Sequence, residues 1–156
     1  MKHEEYLSPD LIRSWPKAEL HSHLDGAMRL ETMLEMAADQ GKMSLLPAQT
    51  LEGLEVELAK VDDSRDLWDY LAWFKYTIGL MQTPEALTRV AQEMALDFAA
   101  ENVKYLEVRF GPVLHTAEGL SMDEVMDAVL EGLREAKEKT GIITRVIVCA
   151  LRDRFV

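Results

Sequence analysis

The run from Ile142 to Leu151 constrains this chain more than any other stretch. It reads Ile-Ile-Thr-Arg-Val-Ile-Val-Cys-Ala-Leu, β-branched and apolar almost throughout. A strand of that kind has little polar face to turn to water, so it is expected in a parallel sheet covered on both sides. Two earlier strands precede it. Tyr105 to Phe110 alternates in character, and Lys17 to His23 forms a short run before the break at Gly26. Parallel strands cannot be joined by a tight hairpin, so each crossover must carry the chain back along the sheet, usually as helix.

The intervening segments supply those helices. Leu30, Met33, Leu34 and Ala37 share one helical face between Leu30 and Gln40, and Gly41 ends the pattern. A short helix is expected around Leu51 to Val61. Ser64 can cap another that carries Leu67, Trp68, Leu71, Phe74 and Ile78. Thr83-Pro84-Glu85 opens a helix whose apolar face is Leu87, Val90, Ala91, Met94 and Phe98. Ser121-x-x-Glu124 is a capping box ahead of Val125, Met126, Val129, Leu133 and Ala136, with Gly141 as the stop. The order is strand, several helices, strand, helix, strand, which makes the chain α/β with parallel strands. Roughly eighty residues separate the first two strands, far more than an ordinary crossover, so a helical insertion is expected there.

Composition excludes some partners. The 156 residues are 48% hydrophobic and carry a formal net charge of −11. That charge repels phosphate backbones and anionic membranes, so neither nucleic acid nor membrane is an expected partner. No apolar run approaches the roughly 18 residues of a membrane span. The single cysteine, Cys149, fits a reducing cytoplasm, and Met1 to Asp10 lacks the features of a secretory signal. Residues 1–14 read as a leader or short helix ahead of Pro16, and residues 15–156 as one domain. Three parallel strands leave two open edges, and a closed eight-strand barrel needs about 250 residues. The chain is therefore expected to be part of a larger fold.

The residues that carry chemistry cluster at the end of the first strand. His21 and His23 are two apart, which puts both imidazoles on one face of a strand and suits two ligands of one metal ion. Asp25 has the same parity if the strand continues, while Leu20 and Leu24 point toward the covering helices. A bare His-x-His also arises by chance, but the end of a strand before a glycine turn is where parallel α/β folds put their sites. On the second strand Tyr105, Glu107 and Arg109 share one face and Leu106, Val108 and Phe110 the other. Glu107 is expected to pair with Arg109 or a neighbour. His115 reads as a surface histidine in the following loop. Trp68, Tyr70, Trp73 and Phe74 either line an apolar pocket or pack as ordinary helix core, with Tyr70 and Phe74 on one face. There is no phosphate loop, dinucleotide fingerprint or His-Glu-x-x-His. One cysteine excludes the cytidine-deaminase type of zinc site.

The segment Pro16-Lys17-Ala18-Glu19-Leu20-His21-Ser22-His23-Leu24-Asp25-Gly26-Ala27 resembles the opening strand of adenosine deaminases. Tyr105-Leu106-Glu107-Val108-Arg109-Phe110-Gly111-Pro112 resembles the family's second strand, and Ile147-Val148-Cys149-Ala150-Leu151-Arg152 its third. The resemblance runs from Trp15 to Arg152. It implies the N-terminal part of a (β/α)8 barrel with one catalytic Zn2+, within the wider class of metal-dependent hydrolases. It implies His21 and His23 as two zinc ligands, His23 and Asp25 as ribose contacts, and Leu67, Tyr70, Leu71 and Phe74 as an apolar lid. Aspartate rather than glutamate at position 25 points to adenosine rather than free adenine. The implied reaction is hydrolytic removal of the 6-amino group of adenosine or deoxyadenosine, a step of purine metabolism that gives inosine and ammonia. The third histidine ligand, the general acid and a metal-binding aspartate are expected beyond residue 156, so the catalytic residues are unknown and this chain alone is expected to be inactive. The stretch Arg152-Asp153-Arg154-Phe155-Val156 departs from the family pattern. An adenine or modified-nucleoside deaminase, and a non-catalytic remnant, are the alternatives; oligomeric state is left open.

Overall fold

The computed structural model describes residues 7–66 and 70–151. One parallel sheet holds β1 (Lys17–His23), β2 (Val103–Phe110) and β3 (Ile143–Val148), in the order β1-β2-β3. Helix α1 (Pro9–Ser14) precedes the sheet. Helices α2 (Leu30–Asp39), α3 (Leu51–Ala59), α4 (Phe74–Leu80) and α5 (Pro84–Ala100) lie between β1 and β2, and α6 (Met122–Thr140) joins β2 to β3. The helical insertion expected from the long spacer is therefore present.

Local chemistry sets the helix ends. The Thr83 hydroxyl accepts the Ala86 N–H at 3.3 Å, with Pro84 at the first helical position of α5. Both halves of the Ser121–Glu124 capping box form, and α6 closes on Gly141 in the left-handed conformation, φ 76°. Gly41 plays the same part after α2, with φ 65°. Helix α1 begins under a Ser8 cap and is tied to the body, since Arg13 pairs with Glu101 at 3.1 Å. The Lys17 ammonium donates to the carbonyls of Ile12, Arg13 and Trp15 at its C-terminal end.

The core lies between the sheet and α5–α6. Leu106, Val108 and Phe110 of β2 are buried together with Leu87, Val90 and Met94 of α5 and Val125, Val129 and Leu133 of α6. The helices cross at Gly132, where the Thr88 hydroxyl donates to the Ala128 carbonyl at 2.9 Å.

Four expectations are corrected. The last strand is shorter than Ile142 to Leu151 and is not buried on both faces: Ile143 is 45% and Val148 58% exposed. Among the described residues β3 pairs only with β2, and Ile143 and Val148 lie on opposite faces of it. Leu20 is 56% exposed for the matching reason on β1, and no described helix covers it. The strand does not continue to Asp25; it ends at His23, and Leu24–Gly26 forms a 3-10 turn. Last, the helix expected from Ser64 onward is interrupted. Ser64 ends a 3-10 turn and donates to the Val61 carbonyl at 2.6 Å, Ala72 and Trp73 form a turn, and α4 starts at Phe74. Leu67 and Trp68 of that expected helix lie outside the described residues, as does the departure from Arg152 onward.

Candidate active site

β1 does not run regularly to its histidines. From Glu19 to Ser22 it advances three residues while β2 advances two, from Leu106 to Val108. The extra residue is a bulge, a device that re-aims side chains beside functional sites. Leu20 and His21 are both exposed in succession, so the alternation of the strand breaks there. The Glu19 carboxylate accepts the His21 N–H at 2.8 Å and holds the distorted backbone. His21 and His23 end with ring centroids 5.4 Å apart, tilted by 42°, at the mouth of a cleft of about 920 Å³.

Asp25 reaches the same cleft through the 3-10 turn rather than along the strand. Its carboxylate is 7% exposed, and Oδ1 has no hydrogen-bond partner among the described residues. Burial raises its pKa above the ordinary aspartate value. Its own N–H, the positive potentials of His115 and His23, and the Gly26 N–H oppose that shift.

The aromatic set divides. Tyr70 and Phe74 line the cleft with ring centroids 5.7 Å apart, and exposed Leu71 lies beside them. Trp73 instead packs edge-on against Tyr76 at 5.2 Å. Gly26 makes room for Phe74. A Cβ there would sit 3.3 Å from Phe74 Cε1, so the absent side chain lets Phe74 seat on the turn that carries Asp25.

On β2 the expected segregation holds, with Leu106, Val108 and Phe110 buried and Tyr105, Glu107 and Arg109 on the other face. Glu107 pairs with a neighbour: the Tyr105 hydroxyl donates to it at 2.9 Å. Arg109 approaches His21 Nε2 at 3.4 Å. A guanidinium only donates, so that nitrogen presents its lone pair, as metal ligation also requires.

His115 is the clearest correction. It is not a surface histidine but fully buried, with Nδ1 3.0 Å from the Met81 carbonyl oxygen. Burial lowers its pKa, against the opposing pull of the Met81 carbonyl and Asp25. Its flanks carried a signal: it ends the apolar run Pro112, Val113 and Leu114, a 3-10 turn in which Pro112 and His115 are the buried residues. Three residues of α5 that line the cleft were not singled out as site residues. Met94 and Phe98 belong to the recognised apolar face, but Asp97 joins them because Arg29 holds it through a two-pronged ion pair, Nε to Oδ2 at 2.9 Å. That pairing links turns far apart in sequence and has no local signature.

Comparison with known proteins decides what this arrangement belongs to. The family profile described as adenosine deaminase matches residues 16–155. The chain belongs to the adenosine deaminase family. Its enzymes are hydrolases acting on carbon–nitrogen bonds of cyclic amidines. The adenosine deaminase of Mycolicibacterium vanbaalenii is 46% identical over 94% of this chain and 41% of its own length. Among curated relatives the chain spans between 19% and 42% of their length. The adenine deaminase of Arthrobacter aurescens superposes with a TM-score of 0.76, at 27% identity, covering 89% of this chain and 41% of that one. The N6-mAMP deaminase of Arabidopsis superposes at 0.71 with 33% identity, covering 89% and 42%. These neighbours are TIM barrels, and the three strands with their helices correspond to the N-terminal portion of such a barrel.

Proposed function

We propose that the protein of which these residues form part removes the 6-amino group of adenosine and deoxyadenosine by zinc-dependent hydrolysis. The observation that carries this reading is the convergence of His21, His23 and Asp25 on one cleft, beneath Tyr70 and Phe74. In it, residues 15–156 are the first part of the hydrolase barrel domain, and the protein works in the cytoplasm on a small purine, without nucleic-acid or membrane partners.

The donor set fits half of a zinc site. Two imidazoles stand side by side, and Arg109 occupies the His21 Nε2 lone pair that a bound metal would take up. Among the described residues no group of three His, Cys, Asp or Glu could hold a metal, so further ligands must come from elsewhere in the protein. Bound there, zinc would acidify a water and supply a hydroxide at neutral pH. The residues of this chain do the rest by binding and exclusion. His23 and Asp25 hold the sugar hydroxyls, and Tyr70 and Phe74 cover the base and keep bulk water from it. With two donors and no general acid assigned within it, residues 1–156 by themselves carry out no deamination.

The lining also favours an uncharged nucleoside over a nucleotide. Among its described residues it includes Asp25, which no cation pairs, and Asp97, which Arg29 neutralises, and neither lysine nor arginine lines it. A 5′-phosphate placed beside Asp25 would meet negative charge without a paired cation. Adenine is the second reading, because one structural neighbour is an adenine deaminase. Assaying the full-length protein with zinc against adenosine, adenine and N6-methyl-AMP tests the choice. Adenosine is expected to give the highest kcat/KM, with His23→Ala purifying free of zinc. Full zinc occupancy in that variant would overturn the ligand assignment, and preference for adenine or the monophosphate would overturn the substrate.

A further inference from the structure

Asp25, which lines the cleft, and His115, which does not, are two buried polar groups that the adenosine reading does not connect. Asp25 sits on the turn after β1, and His115 on the turn Pro112–His115 after β2. β1 and β2 are parallel neighbours, so both turns leave the same end of the sheet side by side. Both residues are more than nine-tenths buried. Each also keeps one atom, Asp25 Oδ1 and His115 Nε2, without a protein hydrogen-bond partner among the described residues. An unpaired buried polar atom is strongly unfavourable, and two on turns at the same end of neighbouring strands can be satisfied by a common partner.

The chemistry of the two groups narrows what that partner is. Met81's carbonyl oxygen, 3.0 Å from His115 Nδ1, can only accept, so Nδ1 carries the hydrogen. The neutral ring then offers Nε2 as a lone pair. An ionised carboxylate likewise only accepts. Two acceptors cannot bond to one another, but a molecule with two hydrogens can serve both, and water is the donor small enough for a buried polar gap. Phe110, whose ring centroid lies 5.8 Å from that of His115, packs against the imidazole and limits its rotation.

We propose that His115 is a positioning residue for Asp25, joined to it by one buried water that donates to Asp25 Oδ1 and His115 Nε2. Oδ1 is thereby tied back toward the fold, and Oδ2 is left to face the ligand. The proposal rests on the adenosine reading only for the identity of that ligand. It also explains why a histidine in an otherwise apolar turn points inward.

Isotope-labelled chain of residues 1–156 tests the arrangement by NMR. At neutral pH a long-range proton–nitrogen correlation is expected to show His115 with Nδ1 protonated and Nε2 bare. A slowly exchanging water is expected to give cross-relaxation to the Gly26 amide. His115→Phe keeps the ring volume against Phe110 and removes both nitrogens; it is expected to abolish the water signal and let the Asp25 side chain average between rotamers. His115→Gln restores an amide near the Nε2 position and is expected to recover a single Asp25 rotamer. In the full-length protein His115→Phe is expected to raise KM for adenosine about tenfold with little change in kcat, as loss of a supporting hydrogen bond does elsewhere. A protonated Nε2 in the wild-type chain overturns the proposal, and so does an Asp25 equally ordered in His115→Phe. That wild-type tautomer decides the matter even if the variant fails to fold. The expected tautomer and rotamers with no response to adenosine would support the positioning role and count against the adenosine reading.

Discussion

Gly132→Ala adds one methyl group at the tightest point of the fold. A Cβ at position 132 would lie 2.1 Å from the Thr88 carbonyl oxygen and 3.0 Å from the Gln92 backbone nitrogen. Carbon–oxygen contacts settle near 3.3 Å, so α5 and α6 must part by roughly 1 Å. Neither obstacle is a flexible side chain that could swing away. A gap of about 1 Å forfeits up to half of each dispersion contact across the interface. The upper end of overpacking costs applies, about 3 kcal/mol. Alanine's better helix propensity returns about 1 kcal/mol. The net loss is about 2 kcal/mol, equivalent to a fall in Tm of about 4–8 °C for a chain of this size. Thermal unfolding followed by far-UV circular dichroism reads the shift, and urea titration should show a lower midpoint at unchanged slope. Asp127→Ala, on the exposed side of the same helix, is the control and should stay within about 0.5 kcal/mol. A Tm for Gly132→Ala equal to the parent's would refute the close crossing.

Three further outcomes are expected. Asp25→Asn should be more stable than the parent at pH 7. The raised pKa means that Asp25's contribution is intact below its unfolded value of 3.8 and is lost as pH rises through the folded value, so the Tm difference should vanish near pH 4. Ser121→Ala removes the hydroxyl that accepts the Glu124 N–H, leaving the backbone half of the capping box, and should cost about 1 kcal/mol, read from the urea midpoint. Gly26→Val pushes branched carbons against Phe74 and should weaken adenosine binding by the full-length protein about tenfold at nearly unchanged Tm; undiminished affinity would remove Phe74 from the lid.

Legibility in the sequence followed the range of the interaction. Caps and stops are local chemistry, so Thr83, Ser121 and Gly141 were readable and formed as expected. The alternation of β2 was readable because one strand's two faces are set by its own backbone. β3 misled for the opposite reason. Its composition describes a strand covered on both faces, whereas exposure of Ile143 and Val148 depends on neighbours that composition cannot place. His115 was missed because its inward seat depends on the Met81 carbonyl, remote in sequence. The Arg29–Asp97 pair is equally non-local.

The convergence of His21 and His23 followed from strand parity, yet the strand between Glu19 and Ser22 is bulged. The bulge takes in Leu20 and His21 themselves, while Ser22 and His23 return to register with Val108 and Arg109. The bulge does change what supports the first imidazole. With its backbone displaced, His21 donates its N–H to the Glu19 side chain and meets Arg109 across the sheet. The next candidate, Asp25, sits buried past the strand's end on a 3-10 turn. Each departure from regular structure thus falls where a candidate functional side chain has to be aimed. A regular β1 continued through Asp25 would present all three side chains in a row on one face. The bulge and the turn instead bend that row around a cleft, so that the pair of imidazoles and the carboxylate address one volume from two directions.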